Sequence, residues 1–286
     1  MFNQNEQGTF LTEAAAKQII NKVLDISTAG ETEVFFGGGH SALTRFAENH
    51  IHQNVAENSF GIRVRTIIDK QMGEAHISKF DDDSLKKVVA NAIEIAKVTP
   101  PDPELLPIPG SQTYKPVEAY HEESISPMQR AKCIATAITL CKNAGFTAAG
   151  VFSNGSSSSA MGNSNGLFAY HRSSAVNFSI TVMGDDSSGR AQKYSRKSTD
   201  IETEKLAEIA IQKAELSNHP RTIEPGKYTV ILEPDAAAGL IGYLSFGFNA
   251  LAVDEGRSYL VGKMGKKIAG ESISLRSDVY HPLHQG

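Results

Sequence analysis

Prolines gather in one short segment of this chain, and this cluster limits the possible folds more than any other feature. Six of the 11 prolines fall in TPPDPELLPIPGSQTYKP, which begins at Thr99. Proline removes a backbone donor and fixes φ, so such a stretch cannot be a helix and is a poor central strand. We therefore predict an extended linker over residues 99–126, joining two domains at 1–98 and 127–286.

The segment before the linker shows helix, strand and helix signals in turn. Thr12 can cap a helix over residues 13–29, where apolar residues recur at helical spacing, and Gly30 can end it. The stretch FGIRVRTIIDKQMGEAHIS predicts two strands around a turn at DKQ. Residues 81–83, all aspartate, open a second helix with a continuous apolar face. An antiparallel sheet with helices on one side is therefore expected.

The second half carries a similar mixture of signals, although no tandem repeat is visible. Helices are predicted at 127–144, 202–217 and 233–249, and four or five strands with turns at SNG, NSNG and GDDSSG lie between the first two. GKYTVILEP predicts a buried strand. The last helix is apolar all round, so we expect it to be buried. Its glycines, Gly239, Gly242 and Gly247, indicate close packing against another backbone or positions where side chains are absent for another reason. The fold class is thus α+β: two domains, each a largely antiparallel sheet with packed helices.

Composition excludes several classes of protein. Hydrophobic residues make up 40% of the chain, which is enough for a buried core, and the net charge of -4 argues against binding nucleic acid through a basic face. We expect no signal peptide and no membrane span, and hence a cytoplasmic location. Cys133 and Cys141 fall eight residues apart in a predicted helix, about 12 Å, which is too far for a disulfide.

The pair His50 and His52 is the first candidate for a metal site. In a strand, residues two apart point to the same face, so the pair could hold an ion from one side. A zinc site needs further ligands, however, and the other histidines are scattered while no cysteine pair has ligand spacing. We therefore favour two ordinary strand histidines over a metal site.

Three other motifs also favour structural interpretations. FGGGH, residues 36–40, lacks the lysine and the following helix of a phosphate loop, so a hairpin turn is predicted. The aspartates at 81–83 stand where acids cap a helix, which is favoured over a cation site. No GxSxG motif supports a serine hydrolase.

A series of short motifs spans nearly the whole chain: ALTRFAENHIHQN, FGIRVR, the proline-rich connector, GNSNGLFAYHRSS, VILEP with the helix after it, and GRSYLVGKMGKKIA. Their order and spacing resemble the TldD/PmbA family, also called TldD/TldE and once labelled modulators of DNA gyrase. The resemblance implies a two-domain protein that works as a dimer around a cavity. It also implies that TldD-type members are zinc metallopeptidases acting on peptides or unfolded chains. In these, a HExxxH helix supplies zinc ligands and a glutamate general base for water attack on the amide.

The motif positions are altered in this chain. They fall at Gly242, Tyr243 and Gly247, and AAAGLIGYLSFGFNALA contains no histidine or glutamate. Glycine cannot ligate zinc and a neutral phenol is a poor base. This departure is typical of the PmbA/TldE branch, so we expect a subunit with no catalytic residue, metal or cofactor of its own. The expected partners are a TldD-type zinc-binding subunit or a second copy, and a peptide substrate, with no nucleic acid and no membrane.

Two other functions remain open at this stage. One is a homodimer that binds peptides without chemistry. The other is a metallopeptidase with relocated ligands, for example His281 and His284 in HPLH. Members of the resembled family continue past the point that matches SDVYHPLHQG, so the second domain is expected to be incomplete.

Overall fold

One six-stranded antiparallel sheet organises most of the chain. The structure is a computed structural model that describes residues 12–115, 117–122 and 125–281. The strands are β1 (Glu31–Ala47), β2 (His50–Ile68), β3 (Gln71–Ile77), β4 (Thr147–Asn163), β5 (Phe168–Met183) and β6 (Ser188–Ser195). Their order in the sheet is β3-β2-β1-β4-β5-β6, and every neighbouring pair is antiparallel.

Four helices pack against this sheet, which confirms the predicted α+β class. They are α1 (Glu13–Ile26), α2 (Asp82–Val98), α3 (Pro127–Asn143) and α4 (Thr203–Leu216). Within the described ranges, no helix is long and apolar enough to cross a membrane.

Side-chain caps explain why the helix starts could be predicted. Thr12, Asp81 and Ser126 each accept a hydrogen bond from the backbone N–H three residues later. Ser126 and Gln129 bond each other's backbone in a capping box. The end of α1 differs from the prediction. Its last residue is Ile26, because the Ser27 N–H makes the final helical hydrogen bonds, to the carbonyls of Val23 and Leu24, before the chain reaches Gly30.

The helices form two separate cores on the same side of the sheet. Phe36 packs in the core under α1 and α2, and Phe46 packs in the core under α3 and α4. Both lie on β1, ten residues apart, and an even separation puts two side chains on the same face of a strand. The helices therefore cover the two ends of one face and leave its middle between them.

The structure repeats one unit that the sequence did not reveal. A helix, three antiparallel strands and a helix (α1-β1-β2-β3-α2) are followed by the same series (α3-β4-β5-β6-α4). The two units meet where β1 pairs with β4, so the strand order is symmetric about that line. The two units also match where the third strand meets the helix that follows it. A Cβ added at Gly73 on β3 or at Gly189 on β6 would lie 2.0 Å from a backbone carbonyl oxygen of that helix.

Two predicted turns are wrong, because their glycines lie inside long strands. FGGGH is in the middle of β1, where Gly37, Gly38 and Gly39 pair with β2 on one side and β4 on the other. SNG, residues 153–155, lies inside β4. A Cβ on Gly39 would come 2.2 Å from the Ser156 carbonyl oxygen, so close approach of neighbouring strands accounts for glycine here. The turns at DKQ, NSNG and GDDSSG are confirmed.

The proline-rich segment lies against the sheet. Ile108 and Ala119 are buried, the Asn163 amide donates to the Pro109 carbonyl, and the Ser174 N–H donates to the Ala119 carbonyl. The sheet continues across the segment, because β1 precedes it and β4 follows it. A common sheet does not show which parts fold alone, so the domain limits 1–98, 99–126 and 127–286 stay a prediction.

Residues 221–279 form a second compact unit, described here by itself. It contains α5 (Pro234–Ser245) and α6 (Ala250–Asp254). The predicted strand at 226–234 is wrong, since no described segment pairs with it and Ile231 is 98% exposed. The predicted burial of α5 is wrong as well, because none of its residues is buried. The apolar composition of residues 226–249 predicted burial, but the contacts within this unit do not bury them.

Candidate functional site

The three positions that match HExxxH lie at the end of α5. Gly242 and Tyr243 are in the last turn of α5, and Gly247 is in the short 3-10 turn Phe246–Phe248 that follows. Tyr243 is 78% exposed, and its ring lies 6.3 Å from the ring of Phe246. The second histidine position is thus outside the α-helix, and none of the three positions carries a histidine or a glutamate.

A tyrosine occupies the space beside the last of these positions. A Cβ on Gly247 would lie 2.1 Å from the Tyr259 ring, whereas a Cβ on Gly242 or Gly239 would meet nothing within 4 Å. The Tyr259 hydroxyl donates to the Leu244 carbonyl at 2.9 Å, which fixes the ring there. The expected close packing is therefore seen at Gly247 alone among the three glycines, and its neighbour is a side chain.

No alternative metal cluster is seen in the part of the chain that the structure describes. Groups of three or more His, Cys, Asp or Glu side chains able to hold an ion are absent from it. His50 and His52 are both exposed on β2, and Nδ1 of His50 donates to the Glu48 carbonyl at 3.0 Å. His281 is exposed, and His284 lies outside the described residues.

The expected alignment of His50 and His52 on one face is interrupted by a β-bulge. Phe46 pairs with Ile51 and Arg45 pairs with Gln53, so His52 is the extra residue of β2. A bulge disturbs the regular alternation of side chains, and the simple two-residue period does not hold between these histidines. The structure brings no third ligand to the pair among the described residues.

The aspartates at the start of α2 act as a cap and an ion pair. The Ser84 N–H donates to Asp81 at 2.9 Å, and this hydrogen bond lowers the pKa of the Asp81 carboxyl. Asp82 pairs with Lys22 of α1, and the hydrogen bond from the ammonium lowers the pKa of Asp82. The capping interpretation is confirmed.

A buried arginine is the centre of a polar cluster that was not predicted from the sequence. Arg130 on α3 is 1% exposed, and its guanidinium donates to Thr44 on β1, Asn54 on β2 and Asn154 on β4 at 2.8–3.0 Å. It also donates to the Ile125 carbonyl at 2.9 Å. Burial lowers the pKa of Arg130 from the ordinary arginine value. A sequence signal existed, because Arg130 stands four residues before the buried Ile134 on the apolar face of α3.

A shallow depression of about 400 Å³ crosses the middle of the sheet. Small residues line it, including Gly39 on β1, Ser59 on β2, Ser157 on β4 and Ser173 on β5. The hydroxyl oxygens of Ser157 and Ser173 are 3.0 Å apart. The depression offers hydroxyl groups, backbone and the His40 imidazole, whose Nδ1 lies 2.7 Å from the Asn58 side-chain oxygen, and no other described acidic or basic residue lines it.

These observations define the class as an α+β protein with a duplicated sheet unit and an apolar helix, α5, that contains no histidine. Family models identify that class further. Three of them match: PmbA/TldA metallopeptidase domain 1 at residues 32–96, the central domain at 114–218 and the C-terminal domain at 225–286. The chain therefore belongs to the PmbA/TldD family.

Two curated relatives are similar over most of this chain. An uncharacterised protein of Methanocaldococcus jannaschii is 27% identical over 253 residues, which is 87% of this chain and 58% of the relative. The Metalloprotease PmbA of Escherichia coli O157:H7 is 25% identical over an alignment 297 positions long, which covers 99% of this chain and 64% of the relative. The chain thus spans about three fifths of the length of these relatives.

Solved structures share the fold. The crystal structure of TldE from Thermococcus kodakarensis has a TM-score of 0.77 at 20% identity, over 94% of this chain and 63% of that one. A protein of Thermotoga maritima, described as a candidate modulator of a DNA gyrase, has a TM-score of 0.75 at 16% identity, over 87% and 59%. At these identities the likeness establishes the fold only.

Proposed function

We propose that this chain is a PmbA/TldE-type subunit of a TldD-type metallopeptidase system that cleaves peptides or unfolded chains. In this proposal the chain itself holds no zinc, and the TldD-type partner supplies the metal and the general base. The observation that carries it is the chemistry at Gly242, Tyr243 and Gly247, where two ligands and a base are replaced by two glycines and a phenol.

The chemistry of zinc peptidases supports this assignment. Zinc activates water only when protein ligands hold it with an open position, and a nearby carboxylate must take the proton. The Tyr259 ring also fills the space where a side chain at 247 would begin. Family membership, together with the altered motif positions at Gly242, Tyr243 and Gly247, supports a role that complements a catalytic subunit.

The experiment is reconstitution with the HExxxH-bearing family member from the same source. Peptide cleavage is measured for this chain alone, for the partner alone and for the two together. We expect no cleavage by this chain and a large gain on mixing. Equal activity of the partner with and without this chain would contradict the subunit role, and cleavage by this chain alone would contradict the absence of a site.

Matched substitutions test whether side chains can be accommodated at positions 242 and 247. Gly242→His should leave stability nearly unchanged, because the Cβ meets nothing within 4 Å. Gly247→His should displace Tyr259 and break its hydrogen bond to Leu244, lowering the free energy of unfolding by about 1–3 kcal/mol. Urea unfolding of both variants measures the difference in stability. Equal stabilities would show that the Tyr259 ring does not exclude a side chain at position 247.

A second candidate function is a homodimeric protein that binds peptides without chemistry. The hydroxyl-lined depression across the sheet favours it, since backbone and serine groups can bond a peptide without recognising its sequence. Binding of an unfolded peptide by the isolated chain, measured by fluorescence anisotropy, would favour this candidate if no partner raises cleavage.

A further inference from the structure

The buried guanidinium of Arg130 carries an inference about ligand binding. Its side chain is 1% exposed, and each of its four hydrogen-bond acceptors is neutral: Thr44, Asn54, Asn154 and the Ile125 carbonyl. Arginine keeps its proton in proteins. A positive charge therefore lies buried here, and no carboxylate is bonded to it.

The orientation of the two asparagine amides follows from the arginine. A guanidinium only donates, so each amide must turn its oxygen toward it. Oδ1 of Asn154 accepts from Nη1 of Arg130 at 2.8 Å, and Oδ1 of Asn54 accepts from Nη2 at 2.9 Å. Oδ1 of Asn54 also accepts from the Thr44 hydroxyl at 2.9 Å. The Nδ2 groups of both amides are therefore left to donate elsewhere.

Several N–H groups of this cluster have no acceptor. Arginine has five N–H groups, and four of those of Arg130 are bonded, which leaves one on Nη2. The Nδ2 groups of Asn54 and Asn154 carry two N–H groups each, and no residue in the described part of the chain accepts from them. The cluster thus combines a positive charge with donors that lack partners.

The cluster can be reached from the uncovered part of the helix face. Asn54 pairs with Thr44, which is two residues from Phe46, so its side chain lies on the face that the helices cover at both ends. Asn54 and the next two residues on this face of β2, Ala56 and Asn58, are nevertheless exposed. A small solute therefore has access to the amide donors from this side.

We propose that Arg130, Asn54 and Asn154 together bind a small oxyanion, a phosphate or a carboxylate group. The oxyanion accepts from the unused N–H of Nη2 and from the Nδ2 groups, and it supplies the counter-charge that the guanidinium lacks. Such charge-assisted hydrogen bonds are about twice as strong as neutral ones. This goes beyond the proposed function, because it assigns a second kind of site, within the sheet unit, that requires no zinc chemistry.

The experiment is an NMR titration of the full chain with sodium phosphate and, separately, with sodium acetate. The side-chain amide signals of Asn54 and Asn154 and the Nε–H signal of Arg130 report on the cluster. We expect these signals to shift and to saturate at millimolar anion. The anion that binds more tightly identifies the group as phosphate or carboxylate. Sodium chloride at matched ionic strength should cause no saturable shift.

Aspartate substitutions test the role of charge. Asn154→Asp keeps an acceptor for Nη1, removes the Nδ2 donors and supplies the counter-charge from the chain itself. The affinity for the anion, followed on the Asn54 signal, should fall roughly 10-fold or more. Asn54→Asp is the second variant, with the same expected loss, should Asn154→Asp not fold. Asn177→Asp is the matched control, because it changes the net charge equally. Asn177 stands next to the core residue Phe178 on β5, so its side chain lies on the opposite face of the sheet.

Four results would overturn the proposal. They are the absence of a saturable shift with both phosphate and acetate, an equal shift with sodium chloride, unchanged affinity in the folded Asn154→Asp or Asn54→Asp variant, and an equal loss of affinity in Asn177→Asp. The last result would show that net charge, and not the cluster, accounts for binding. None of these readouts depends on peptide cleavage, so failure here and failure of the proposed function are distinguishable.

Discussion

Replacing Arg130 with methionine tests the buried polar cluster that joins α3 to the sheet. The guanidinium donates four hydrogen bonds, to Thr44, Asn54, Asn154 and the Ile125 carbonyl, and none of the acceptors is a carboxylate. A buried charge without a counterion is costly, so its neutral acceptors must offset much of that desolvation. Methionine keeps much of the side-chain volume and removes all of the donors.

The magnitude follows from the acceptors that lose their donor. Asn54 still accepts from the Thr44 hydroxyl at 2.9 Å, so the main losses fall on Asn154 and the Ile125 carbonyl. A buried acceptor left without its donor costs about 1–3 kcal/mol, and the variant is relieved of the desolvated charge. We expect Arg130→Met to lower the free energy of unfolding by about 2–4 kcal/mol.

The assay is urea unfolding with linear extrapolation of the free energy. Arg190→Met is the control, because Arg190 is exposed and its side chain bonds Gln192; a change within about 0.5 kcal/mol is expected. If Arg130→Met were as stable as the wild type, the desolvation of the guanidinium would cancel its hydrogen bonds. The reasoning on this cluster would then be refuted.

Three further predictions concern packing and pH. Gly73→Ala and Gly189→Ala should each lower stability by about 1–3 kcal/mol in urea unfolding, since each Cβ would lie 2.0 Å from a helix carbonyl; wild-type stability would show that the helices move freely. Lys22 lowers the pKa of Asp82. The stability that this ion pair contributes is therefore present above the usual pKa of 3.8 and is lost as pH falls through the lowered value. Lys22→Met should reduce this acid dependence, and an unchanged profile would contradict the ion pair. Burial lowers the pKa of His171 below 6.5, so stability should fall as pH drops below 6.5, and His171→Asn should flatten that slope.

Local features of the fold were predictable because local chemistry determines them. Thr12, Asp81 and Ser126 begin helices through side chains that lie within three residues of the N–H groups they bond. The turn at DKQ follows equally local rules, since Asp69 and Lys70 take up positive φ between two alternating strands.

The continuous sheet and its repeat were not predictable from local pattern. Glu33 pairs with Asn163 across the whole proline-rich segment, and no local rule connects such distant residues. Glycines at 37–39 indicated a turn, although two neighbouring strands lie close against them. The apolar residues at 226–249 indicated burial, but burial depends on contacts that composition alone does not establish.

For the candidate site, the sequence identified altered motif positions but not the tertiary contacts around them. Gly242 and Gly247 were readable as lost ligands because the resembled motif fixes their spacing. The ring of Tyr259 against Gly247 is a tertiary contact, and the neutral acceptors around Arg130 come from three different strands. Only the structure could supply these two features.

The zinc content of the purified chain tests the central claim most directly. Elemental analysis is done on metal-replete protein, first alone and then after capture of a HExxxH-bearing partner from lysate of the same source. The account predicts zinc far below one ion per chain for the isolated protein, and zinc in the captured complex. Stoichiometric zinc in the isolated chain would contradict it, and would turn attention to His50, His52, His281 and His284 as ligands.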